Sequence, residues 1–183
     1  MNENPEFGDT YRLLWRRPGT NYVGEVRNYT LDRKGYRRVP ILLDDALMKE
    51  INMRFLTASW DDKGPAINVS TTFMMIPRRL REAGIWHEIG HIHHEHHLSG
   101  EFRDQSQLRA ARLTATKNGL VLPIEEEADR FAVQQSGKEA LIDFLEYILG
   151  TRPSGEKLGL NEIGKRELEI RIASIRASRW ATR

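Results

Sequence analysis

The chain contains no cysteine. That excludes disulfides, a thiol nucleophile and any zinc-thiolate centre, so a bound metal would have to be held by nitrogen and oxygen. Also missing is any run of about eighteen apolar residues, the length a membrane-crossing helix needs, and the opening MNENPEFGDTYRLLWRR lacks the basic start and apolar centre of a secretory signal. The expectation is a soluble, cytoplasmic protein with no membrane partner. Charge of one sign is scarce too: 28 Lys and Arg stand against 26 Asp and Glu, a formal charge of +2. No nucleic-acid partner is expected from that balance. Residues 152 to 183 do carry eight basic and four acidic side chains, which reads as a solvated helix face.

What is present suits a folded globular chain. With 183 residues, 39% of them apolar and 30% charged, the sequence is expected to form one domain over 1–183, with residues 1–10 as a disordered lead-in. Two short β-prone runs flank Asp-Arg-Lys-Gly within YVGEVRNYTLDRKGYRRVPILL, and a second pair, FLTASW and PAINVST, flanks DDKGP. Between them DDALMKEINMRF has helical spacing, opened by Asp44 and Asp45. Helices are then expected from Pro77 to Leu98 and over 102–117, 123–136, 138–149 and about 161–180. Strands first and helices after argue for an α+β fold, a small, mostly antiparallel N-terminal sheet with a helical C-terminal half.

All six histidines fall within AGIWHEIGHIHHEHHL, residues 83–98. His87-Glu88-Ile89-Gly90-His91 is H-E-x-x-H, and on a helix the i, i+4 spacing stacks two imidazoles on one face, able to reach one ion. Glu88 borders that face without being a ligand, where a base that deprotonates a metal-activated water must stand. Ile85, Ile89 and Ile92 lie on another side and can bury the helix. Catalytic zinc needs a third protein ligand. His97 has the spacing of the third histidine in H-E-x-x-H-x-x-G-x-x-H, but His94 occupies the glycine position and no Met-turn follows. The other candidate lies in IEEEADRFAVQQSG, where Glu125 and Asp129 are four apart beside the stripe Ile124, Ala128, Phe131 and Ala132. A half-buried carboxylate pair needs compensation, which zinc would give to Glu125 and an imidazole N–H to Asp129. Glu126 and Glu127 read as a solvated acidic first turn. His93, His94, His96 and His97 read as a polar helix end.

H-E-x-G-H followed by E-x-x-A-D resembles the gluzincin metallopeptidases. PAINVSTTFMMIPRRLREAGIWHEIGHI with EEEADRFA is similar to ImmA/IrrE-type peptidases, with Asp129 where they usually carry Asn. EADRFAVQQSGKEALIDFLEYI with ELEIRIASIRAS is similar to HtpX-like peptidases, which are usually membrane-anchored. The resemblance implies a zincin fold, zinc on His87, His91 and Glu125, Glu88 as catalytic base, Asp129 behind a histidine, and a peptide or protein substrate. A substrate lying extended along an edge strand within residues 65–71 is expected. The alternative is a regulatory or non-enzymatic zinc-binding protein of the ImmA/IrrE type that acts on a repressor or stress-response partner.

Overall fold

The computed structural model describes residues 11–13, 21–26, 38–51, 55–61, 64–96, 105–150 and 162–180. The fold is α+β, with strands in the N-terminal half and helices dominating the C-terminal half. It divides into two compact units, Met1–Ile76 and Pro77–Arg183. The expected lead-in over 1–10 and the Asp-Arg-Lys-Gly turn lie outside the described residues.

The first unit is a five-stranded sheet: β1 (Tyr11–Leu13), β2 (Tyr22–Val26), β3 (Val39–Leu43), β4 (Leu56–Asp61) and β5 (Gly64–Val69), in the spatial order β1-β2-β3-β5-β4. Neighbours are antiparallel except β3 and β5, which run parallel with Ile41 opposite Ile67 and Leu43 opposite Val69. Val23, Val26, Val39, Ile41, Ile67 and Val69 are buried in this unit. A short helix α1 (Asp45–Glu50) starts where the Asp44 side chain accepts from Leu47 N at 2.9 Å. Asp45 accepts from the backbone N and hydroxyl of Thr71 at 2.8 and 2.6 Å, tying α1 to the four-residue helix α2 (Thr71–Met74).

This sheet order corrects one expectation. β5 is an interior strand, flanked by β4 along its length and by β3 over Ile67–Val69, so it is not an edge strand to which a peptide could add. In sequence the strands β4 and β5 look alike. Which of them the hairpin places outermost is decided by β3, whose Ile41, Leu42 and Leu43 pair with β5.

The second unit is helical: α3 (Arg78–His93), α4 (Gln105–Lys117), α5 (Pro123–Ser136), α6 (Lys138–Gly150) and α7 (Glu162–Ala177). No helix among the described residues is long and apolar enough to cross a membrane. Ile85, Ile89 and Ile92 on α3 are at most 1% exposed, and α3 packs chiefly on α5 and then on α6. The α3–α5 contact is unusually close because of Gly90. A Cβ built there would lie 2.7 Å from Ala128 Cα and 2.9 Å from its carbonyl oxygen, both backbone atoms that cannot step aside. Gly90→Ala is therefore expected to push α5 off α3 and to destabilise the fold by about 1–3 kcal/mol, a drop of several degrees in melting temperature. A melting curve superimposed on the parent's would refute so close an approach.

Candidate metal centre

Helix α3 carries His87 and His91 one turn apart, and α5, started by Pro123 in its first turn, carries Glu125 and Asp129 one turn apart. Because Gly90 and Ala128 let the two backbones meet, the four side chains face one another across that contact. His87 Nε2 is 3.2 Å from His91 Nε2 and 3.3 Å from Glu125 Oε2, and His91 Nε2 is 3.9 Å from that same oxygen. These three donor atoms form a group compact enough to hold a metal ion. Glu88 is buried on α3 at 8% exposure, and Asp129 accepts a hydrogen bond from His87 Nδ1 at 2.9 Å.

Two arginines complete the cluster. Arg171, buried on α7, forks onto Asp129 with Nε at 2.9 Å from Oδ2 and Nη2 at 2.5 Å from Oδ1. Its Nη1 reaches Glu125 Oε2 at 3.1 Å. Nη2 stands 3.3 and 3.4 Å from the two ring nitrogens of His87, so the guanidinium lies against the ring and not on one lone pair. Arg112, on α4, donates to Glu125 Oε1 at 2.5 Å and pairs with Glu167 at 3.0 Å.

The electrostatics follow from this packing. Burial works against ionised carboxylates at Glu125 and Asp129, but Arg171 and the His87 hydrogen bonds outweigh it and hold both below the usual carboxylate range. At Glu167 burial prevails and raises the carboxyl. Burial and Arg171 act to lower the pKa of His87, yet its hydrogen bonds to Asp129 and Glu125 raise it to about 9. Burial lowers His91 to about 3, so that imidazole is uncharged. The proton on His87 is what reconciles two facing ring nitrogens and a carboxylate oxygen, groups that otherwise point electron pairs at one another.

The crowded histidines divide. His93 packs on the Phe131 ring with centroids 4.8 Å apart, and His94 stacks on His96 at 5.5 Å. His97 lies outside the described residues, and α3 gives way to a turn at His94 instead of running to Leu98. Glu126 pairs only loosely with Arg130, at 3.7 Å. Glu127 is exposed, as a solvated carboxylate should be, and it also accepts from His96 Nε2 at 2.9 Å.

Arg171, Arg112, His96 and Glu127 are therefore the neighbours that sequence reasoning passed over. Arg171 left a signal: it shares the buried stripe of Leu168, Ile172 and Ile175, where a cation demands carboxylates. Arg112 left none, looking like any base on a basic amphipathic helix. No family model matches this chain, and no curated protein or solved structure matches it.

Proposed function

We propose that the chain is a zinc-dependent peptidase in which His87, His91 and Glu125 hold the ion and Glu88 is the general base. The carrying observation is the spacing of the three donor atoms. Tetrahedral ligands with metal bonds of about 2.0–2.1 Å stand about 3.3–3.4 Å from one another, and the separations 3.2, 3.3 and 3.9 Å lie close to that. Two imidazoles and one carboxylate, with no thiolate, are also a donor set of catalytic zinc.

When bound, zinc supplies a Lewis acid that polarises a carbonyl and makes water more acidic. The remaining work falls to the chain. Glu88, next to His87 on α3, takes a proton as the water oxygen bonds the scissile carbonyl carbon, and returns it to the amine nitrogen as the C–N bond breaks. Asp129 keeps a proton on His87 Nδ1, which turns Nε2 toward the ion. Arg171 holds Asp129 in place and leaves it ionised.

Metal analysis tests the reading: one equivalent of zinc per chain is expected, and chelation should abolish cleavage of denatured β-casein, with zinc restoring it. A chain purified without any transition metal and unable to take one up would sink it. The same cluster supports Asp129→Asn as a graded test. That variant should bind zinc roughly 10–100-fold more weakly, measured by competition with a chromophoric chelator, and parental affinity would remove Asp129 from the role. The burial of Glu88, at 8% exposure, favours one other reading, a metal-binding regulator without turnover. In that case zinc would be present and casein would survive.

A further inference from the structure

His91 Nδ1 lies 2.8 Å from His96 Nδ1, and His96 Nε2 lies 2.9 Å from Glu127 Oε2. From these contacts we infer that Glu127 and His96 form a polar relay that fixes the tautomer of His91, so that His96 is a positioning residue for the centre. The inference deepens the metal reading above and rests on it only where metal affinity is concerned.

The direction of the relay follows from donor and acceptor counting. Glu127 is 53% exposed, and its carboxylate can only accept. His96 must therefore carry its proton on Nε2. In a neutral His96 the Nδ1 is then an acceptor, and the one proton between the two Nδ1 atoms comes from His91. With its one ring proton on Nδ1, His91 keeps a bare lone pair on Nε2, the nitrogen that faces His87 Nε2 and Glu125 Oε2. Were the relay to run the other way, Nε2 would carry hydrogen and could bind no metal.

The backbone is built for this contact. Five residues apart, His91 and His96 would point to different sides of a continuous helix. The helix instead ends in a Schellman turn: Glu95 N bonds Ile92 O at 3.1 Å and His96 N bonds His91 O at 3.2 Å. Glu95 takes the left-handed position at φ 54°, a place that normally favours glycine. That turn brings His96 back over the helix end, so that His91 and His96 are joined through both backbone and side chains. His96 is shielded there, its side chain 9% exposed against 53% for Glu127.

The test reads the tautomer directly and the metal separately. In the metal-free protein, long-range ¹H–¹⁵N correlation should find the His91 proton on Nδ1. In His96→Leu, which keeps an apolar filling but no acceptor, His91 should shift to a mixture of tautomers, and zinc affinity should fall roughly 10–100-fold. His96→Asn, whose side-chain oxygen can stand where Nδ1 stood, should recover most of both. A proton on His91 Nε2 in the parent, or a His96→Leu variant with parental tautomer and zinc affinity, would overturn the relay. A parent with the Nδ1 proton that binds no zinc would uphold the relay and defeat the metal reading instead.

Discussion

Glu88→Gln should bind zinc as the parent does and lose on the order of 10²–10⁴ in kcat on denatured casein, the usual contribution of a positioned general base. The substitution changes one oxygen to an amide nitrogen on a side chain of the same shape, so the helix carrying His87 and His91 is left intact. Glutamine cannot accept and return a proton. In the proposed centre the ligand atoms belong to other residues, so the substitution gives the metal no reason to leave. Zinc content and turnover measured on one preparation separate the roles: loss of zinc would make Glu88 a ligand, and undiminished turnover would end its assignment as base.

A second large effect is expected at Glu125. Structural zinc is bound with about 10–16 kcal/mol, so withdrawing one protein donor of three should cost on the order of 3–5 kcal/mol, about 10²–10⁴ in affinity. Glu125→Gln adds to that by leaving Arg112 and Arg171 without their shared carboxylate, two uncompensated cations beside any metal the site would hold. The variant also breaks buried ion pairs, which by itself destabilises folds by about 3–5 kcal/mol. Glu125→Asp is the safeguard, since it preserves the charge and the arginine partners but draws the oxygen back by one methylene. Its zinc affinity should fall between parent and Glu125→Gln. His97→Gln should hold one tight zinc. Tight zinc in Glu125→Gln, with its loss in His97→Gln, would transfer the third ligand to the histidine.

The parts of this arrangement that could be read in the sequence are those fixed by local periodicity. Helix α5 runs from Pro123 to Ser136, within the bounds that proline and glycine punctuation set. The pairs His87/His91 and Glu125/Asp129 each declare a common face by spacing alone. That α3 and α5 meet is implicit in Gly90, although a lone glycine inside a helix does not say what approaches it. Three features were hidden because tertiary geometry decides them. The order of β4 and β5 depends on a parallel partner far along the chain. The return of His96 depends on a glutamate adopting a backbone conformation with no glycine to announce it. Arg171 is buried where its helix stripe is otherwise apolar, and only the carboxylates on α5 explain it.

That arginine also sets an order of events during synthesis. Arg171 follows Asp129 by 42 residues, and at about 5–20 residues per second a ribosome takes roughly 2–8 s to make that stretch. Throughout that interval Asp129 and Glu125 exist without the guanidinium that bridges them, and water must solvate what the last helix later covers. Until α7 is made, the carboxylates of α5 lack the cation that their burial calls for. Closure of the centre therefore follows the synthesis of α7, and a metal ion reaching it earlier would meet ligands still able to rearrange.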